Sequence, residues 1–367
     1  MHSKRMINVL PIYKIFSIHV ILVIVAMSCN THREIKALYG FSKELEPFKG
    51  KDAEEIAYIL SSWGINAVFG GYKDKQMLEA LRKYGIKTYV SVRIFHNGRF
   101  WHKYPQSRPI DVHGNPIEKE EWYTPLTPSN HEVRMERLAE IEKLVSSYDV
   151  DGVWLDFTYW PCLWERPKPK LYQTSFDSVS IKKFEKETGV AIPLKFITIT
   201  EKAKWILNNH KNKWIRWKCE QITSFVREAK EIVKERGKLL GLFVVPFLPE
   251  DYENAIEEII GQDYKALSRY VDIFSPMVYH LMCDKEVVWI KKVIEYIYNT
   301  TNRSVLPIVQ GCSEPKELSE EEFKQAIWLS LSAEGSKGVI IFSLKHVVTE
   351  NKIDAMREAL AWTKAIK

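Results

Sequence analysis

Eight short apolar runs alternate with segments of helical periodicity along most of the chain. The runs are Ala37 to Phe41, Ala67 to Gly70, Thr88 to Phe95, Gly152 to Phe157, Leu239 to Phe247, Val271 to Tyr279, Val305 to Gln310 and Gly338 to Ser343. Most are apolar throughout rather than alternating, as expected of strands buried on both faces. Between them, Asp52 with Glu55, Ser129 with Glu132 and Ser319 with Glu322 each set an N-cap residue three positions ahead of a glutamate, which marks a helix start. This alternation predicts an α/β fold, a (β/α)8 TIM barrel, with an open doubly wound sheet as the alternative.

Two connections are longer than a barrel needs. After the third strand, His96 to Pro128 holds five prolines and two glycines with no periodic pattern, which predicts an ordered loop over the barrel mouth. After the fourth strand, about 80 residues pass before the fifth. Within them Ile215, Cys219, Ile222, Val226, Ala229 and Val233 recur at steps of four and three, the mark of a long helix. Loops that follow strands open on the carboxyl-terminal face, so both insertions are expected to enlarge a site there.

Composition narrows the class. Of 367 residues, 46% are apolar and 12% aromatic, enough for a full core in one large domain, expected over residues 35–367. The formal charge of +6 falls to +3 once Lys4, Arg5 and Lys14 are set aside, which gives no reason to expect a nucleic-acid partner. Those bases belong to an amino terminus that reads as an export signal over residues 1–28. Lys4 and Arg5 precede an apolar run from Ile15 to Met27, too short to favour a spanning helix. Ala26-Met27-Ser28-Cys29 is similar to a bacterial lipobox, with Met27 an imperfect match, which makes Cys29 the expected lipid-bearing first mature residue; simple secretion and an uncleaved anchor are the alternatives. The only membrane contact expected is this lipid. Cys162, Cys219, Cys283 and Cys312 show no C-x-x-C spacing and read as core thiols, although an oxidising compartment would permit bridges.

Candidate chemistry gathers at the strand ends. In Asp151-Gly152-Val153-Trp154-Leu155-Asp156 an apolar strand is bracketed by two acids; Asp151 reads as a turn residue ahead of the strand, and Asp156 belongs where it emerges at the mouth. Glycoside hydrolysis needs two carboxyl groups. Glu165, whose neighbour Trp164 would desolvate it, and Glu250, after strand five, are the paired candidates for the second; Asp251, Asp284 and Glu314 follow strands five, six and seven. Tyr279 and His280 end strand six and are expected to hydrogen-bond substrate, with a rim histidine bonded to a backbone carbonyl as the alternative for His280; Arg93, with His96 close behind, ends strand three and is expected to hold Asp156 ionised or clamp substrate; Gln310 and Ser343 end strands seven and eight as further hydroxyl contacts. Trp160 and Trp164 are expected sugar platforms, with Trp122 also near the mouth. Trp154, inside a strand, and the Trp205, Trp214 and Trp217 group read as packing.

These residues carry a resemblance. Asp151 to Phe157, with Trp160-Pro161 and Trp164-Glu165, resembles the strand-four signature of an uncharacterised bacterial group of family 10-like glycoside hydrolases with TIM-barrel folds. Gly261-Gln262-Asp263 and Asp272 to His280 resemble its strand-six region. The resemblance implies an exported barrel with a carbohydrate substrate. A more distant likeness is to chitinase-like family 18 enzymes, matched at Asp151, Gly152, Asp156, Met277 and Tyr279, but Trp154 replaces their first inner Asp and Thr158 stands where the proton-donating Glu belongs. A threonine cannot supply that proton, so an acid must come from another loop. The expected activity is a glycosidase using Asp156 and a second rim acid; the alternative is a carbohydrate-binding lipoprotein that retains aromatic platforms without a working acid pair. No glycine-rich phosphate loop or H-E-x-x-H motif suggests a cofactor or metal.

Overall fold

Eight parallel strands form a ring in the computed structural model, which describes residues 34–120 and 122–361. They are β1 (Ile35–Phe41), β2 (Ala67–Gly70), β3 (Lys87–Arg93), β4 (Gly152–Asp156), β5 (Leu239–Val244), β6 (Ile273–Pro276), β7 in two pieces (Ser304–Val305 and Ile308–Gln310) and β8 (Gly338–Phe342). Each pairs with its sequence neighbour, and β1 pairs with β8 from Ile35 opposite Gly338. The two pieces of β7 lie at opposite ends of the hydrogen-bonded order, and a parallel bridge from Met277, just past β6, to Ile308 in the second piece closes the gap. The sheet is therefore a closed (β/α)8 barrel and not an open doubly wound sheet. The signal region and Cys29 fall outside the described residues. Among those described, no helix is long and apolar enough to cross a membrane.

The outer helices are α1 (Ala53–Ser62), α2 (Lys75–Lys83), α3 (His131–Ser147), α4 (Ile199–Glu235), α5 (Tyr264–Leu267), α6 (Trp289–Thr301), α7 (Glu320–Ser332) and α8 (Ile353–Ala361). Asp52 caps α1 in a full capping box with Glu55. Ser319 caps α7, but Glu322 reaches His280 instead of turning back. Ser129 does not cap α3; Asn130 does, accepting from Val133 N–H, while the Ser129 hydroxyl pairs with Ser180. The long helix in the second insertion is α4, 37 residues with a break at His210, and Cys219, Ile222, Val226, Ala229 and Val233 all face inward. Trp214 and Trp217 are buried in the same packing.

Side chains alternate in and out along each strand, so Gly152, Trp154 and Asp156 share the inner face of β4. Trp154 is fully buried at the barrel axis, its indole N–H donating to Ser275 Oγ at 2.9 Å. Phe69 and Tyr89 pack against it at 5.2 and 4.5 Å between ring centres. The bottom of the barrel uses acids structurally: Asp151 accepts from Thr88 N–H at 2.8 Å, and Asp272 accepts from Leu240 N–H at 2.8 Å while pairing with Lys230. Asp151 is thus a turn residue. All four described cysteines are buried and free.

Candidate active site

Two residues beyond Trp154 on the same face, Asp156 reaches the carboxyl-terminal mouth. There β3 pairs Arg93 directly opposite it. The mouth opens over an aromatic floor: Tyr39 lies 5.9 Å from Phe243 and 5.3 Å from Phe342, and Phe342 lies 5.3 Å from Tyr279 between ring centres. Above it is a cavity of about 230 Å³ walled by Arg93, Trp122, Asp156, Phe157 and Glu165. Trp122 comes from the first insertion and Glu165 from the second, so both insertions do line the cavity. A backbone bridge from Asp111 to Thr174 and a bond from Ile110 N–H to Ser175 Oγ at 2.9 Å hold the insertions together.

Phe157 shapes this wall. Its φ of 49° lies in the left-handed region, which a bulky side chain rarely adopts. The chain thereby turns sharply after Asp156, sets the Phe157 ring 4.5 Å from His96, and aims its own amide at Asp156 Oδ1 at 2.8 Å.

Both carboxyl groups are held above the ordinary carboxylate range. Burial pushes Asp156 up to about 6, opposed by the Phe157 amide and the Arg93 guanidinium, which favour its ionised form. Burial pushes Glu165 further, to about 7, and the nearby negative charge of Asp156 adds to the rise. Burial and the same carboxylates also raise the phenols: Tyr39 stands at about 12 and Tyr279 well above its ordinary value. Both remain hydroxyl donors at neutral pH. Arg93 is exposed in the wall, and its side chain makes no hydrogen bond or ion pair among the described residues.

Several expected site residues lie elsewhere. Glu250 is exposed and paired with Lys292 at 2.7 Å, outside the cavity, and that pairing holds its carboxyl below the usual range. Trp160 is no platform: it is fully buried, donates to the Lys218 carbonyl at 3.0 Å, and packs so tightly on Gly261 that a Cβ there would lie 2.5 Å from its ring. Trp164 is also buried, outside the cavity lining, stacked 5.8 Å from Tyr279 with its N–H on Tyr159 Oη. It backs Tyr279, which lines the cavity, instead of presenting a face to a ligand.

His96 is buried and accepts from Thr124 N–H at 3.0 Å, anchoring the first insertion; burial and Arg93 push it down to about 4, so it stays neutral. His280 is enclosed against Glu322 at 3.2 Å, and burial lowers it as well. Gln310 is a brace, accepting from Leu281 and Met282 and donating to the Cys312 and Glu314 carbonyls. Asp251 pairs with Lys285 at 2.9 Å. Thr158, in the chitinase-like donor position, is buried with its hydroxyl on the Asp156 carbonyl. Of the expected residues, the structure brings together Asp156, Glu165, Arg93 and Tyr279. Tyr39, Phe243 and Phe342, which form the floor, carry only a weak signal in sequence, as aromatics among apolar strand residues. A larger depression of about 710 Å³ is lined by α3, α4 and the helix Ser178–Thr188, among charged residues several of which are paired, such as Arg134 with Glu228 at 2.8 Å.

Known structures share this fold at low sequence identity. The β-galactosidase of Marinomonas ef1 superposes with a TM-score of 0.60 at 13% identity over 84% of this chain, which spans 53% of that protein's length. The glycoside hydrolase domain of PgaB (BpsB) from Bordetella bronchiseptica gives 0.65 at 11% identity, covering 90% of this chain and 100% of that domain. The catalytic domain of a Paenibacillus polymyxa β-amylase gives 0.57 at 11% identity, covering 88% and 96%. No curated protein sequence matches. These likenesses speak for the fold, and neither family 10-like nor chitinase-like enzymes are named among them. The family model described as "Putative glycosyl hydrolase domain" matches residues 62–324, more than half of the chain. This chain belongs to that glycosyl hydrolase domain family.

Proposed function

We propose that the chain is an exported glycoside hydrolase in which Glu165 donates a proton to the leaving oxygen and Asp156 is the ionised partner that attacks or activates water. The observation that carries the reading is the meeting of these two acids in one aromatic-floored cavity, with Glu165 the more reluctant to ionise. A donor must hold its proton near neutral pH and its partner must have lost one, and the two environments favour that assignment. The floor of Tyr39, Phe243 and Phe342 offers apolar faces for a sugar ring, while Tyr279, Tyr39 and Arg93 offer donors for its hydroxyls. Glycosidase activity in the structural neighbours and the family's description support a carbohydrate substrate; the family 10-like resemblance is a finer form of the same proposal. Product analysis after incubation with a panel of poly- and oligosaccharides tests it, and a chain that binds glycans but releases no sugar would leave only the binding-protein alternative.

The pH dependence follows from the same assignment. The active form has Asp156 ionised and Glu165 protonated, so kcat/KM is expected to rise as Asp156 loses its proton near pH 6 and fall as Glu165 loses its own near pH 7. Because the two groups interact, the limbs report the pair and the bell is narrow. A kcat/KM profile across pH 4 to 9 checks this; an optimum far above pH 8 would remove Glu165 as donor.

Export and lipidation at Cys29 belong to the proposal too. Mass spectrometry of the amino terminus of protein made in a bacterial host is expected to find a lipid-modified Cys29, lost in Cys29→Ala.

A further inference from the structure

One aromatic at the mouth is left unexplained by a single-ring pocket. Among the described residues Trp122 is the only exposed tryptophan, 49% accessible, whereas its counterparts at 154, 160, 164 and 214 are buried. Singly exposed apolar side chains are ordinary on a protein surface, but this one forms part of the cavity wall. Its position is also held. Glu120 and Tyr123 exchange two backbone hydrogen bonds, 3.0 and 3.2 Å, so Trp122 sits on a tight turn. Tyr123 is buried, and its hydroxyl accepts from Cys162 N–H at 3.2 Å, tying the turn to the insertion that carries Glu165. On the other side Glu120 pairs with Lys170 at 2.6 Å and with Arg166 at 3.6 Å, next to Glu165 itself. These ion pairs are solvent-exposed and contribute little alone; the buried tyrosine is the stronger anchor.

Resting on the glycosidase reading, we infer that Trp122 is the platform for a second sugar ring beside the one held in the cavity, and that the ligand is therefore an oligosaccharide of at least two residues. The floor of Tyr39, Phe243 and Phe342 takes the first ring within about 230 Å³. The indole, fixed above the rim between the two insertions, covers the next ring and loses its contact with water.

The test separates this platform from the catalytic reading. Glu165→Gln chain, which retains the cavity, is applied to an array of matched mono-, di- and trisaccharides, alone and combined with Trp122→Ala or Trp122→Phe. Expected is binding to at least one di- or trisaccharide and not to its component monosaccharide, weakened about tenfold or more by Trp122→Ala and largely kept by Trp122→Phe, which retains a flat apolar face. Iodide quenching of the exposed indole should diminish when the bound glycan is present. Equal binding by Trp122→Ala, monosaccharides binding as well as longer glycans, or no glycan bound at all would overturn the inference. Hydrolysis of the bound glycan by the unaltered chain is scored separately: Trp122-dependent binding without cleavage ends the hydrolase reading and keeps the platform, and cleavage with binding indifferent to Trp122 does the reverse.

Discussion

Asp156→Asn is expected to lower kcat by about 10³-fold or more and, at the same time, to make the protein more stable at pH 8. Both effects come from one cause. Asp156 is 8% exposed at the end of β4, and its pKa is pushed to about 6 by burial. An unfolded chain would ionise it near the ordinary carboxylate value, so between about pH 4 and 6 the native protein binds more protons than the unfolded one. The stability tied to this group is complete below the unfolded pKa and is lost as pH rises through the native one. Above pH 6 the native state carries a buried charge at a cost of order 3 kcal/mol, which the neutral amide avoids. Glu165→Gln should act in the same direction. Thermal unfolding at pH 8 and at pH 4, beside turnover, checks the pair: stabilisation at pH 8 that vanishes at pH 4, with activity gone, is the expected pattern. Destabilisation at pH 8 would mean that Asp156 is held by a structural ion pair; unchanged turnover would mean that the chemistry lies elsewhere.

The barrel was readable because both-face burial writes itself as apolar runs, and seven of the eight runs hold one uninterrupted strand. The ends were less readable. Val245 to Phe247 are as buried as the strand before them, yet Val245 N–H bonds to the Gln262 side chain and not to a neighbouring strand. Apolarity reports burial and not ladder membership, so β5 and β6 are shorter than their apolar runs. In β7, Pro307 has no N–H to give to the ladder, which splits the run between Val305 and Ile308. At the site, sequence could place Asp156 because strand alternation fixes its direction once Trp154 is inside. Orientation after the strand was not encoded so simply. The chain turns at the left-handed Phe157, and Trp160 and Trp164 beyond it are buried outside the cavity lining, while Tyr252, Glu253 and Asn254, all at positive φ, belong to the loop in which Glu250 is paired with Lys292. Tryptophans near a mouth in sequence are as easily its foundation as its lining.

Gly241→Ala is expected to destabilise the fold severely, by roughly 3 kcal/mol or more, although it adds a single methyl group. Gly241 lies opposite Trp154 in the β4–β5 register, and an added Cβ would stand 2.0 Å from Trp154 Cε2 and 2.2 Å from Cδ2. A flexible side chain could swing aside, but this indole cannot. Its N–H is bonded to Ser275, Phe69 and Tyr89 pack against its ring, and it is fully buried in a close-packed interior. The clash must therefore move backbone. The strands that would move are those carrying Asp156 two residues beyond Trp154 and Phe243 two residues beyond Gly241, so activity should fall with stability. The contact makes a specific claim about coupling: Trp154→Leu alone leaves a cavity and costs several kcal/mol, yet Trp154→Leu with Gly241→Ala should cost clearly less than the two singles added together, because the methyl then occupies space that the indole vacated. Denaturant unfolding of the four proteins measures that interaction directly. Strict additivity, or a Gly241→Ala chain as stable as the parent, would mean that the indole does not fill the barrel axis, and with it would go the reason for Asp156 pointing into the mouth.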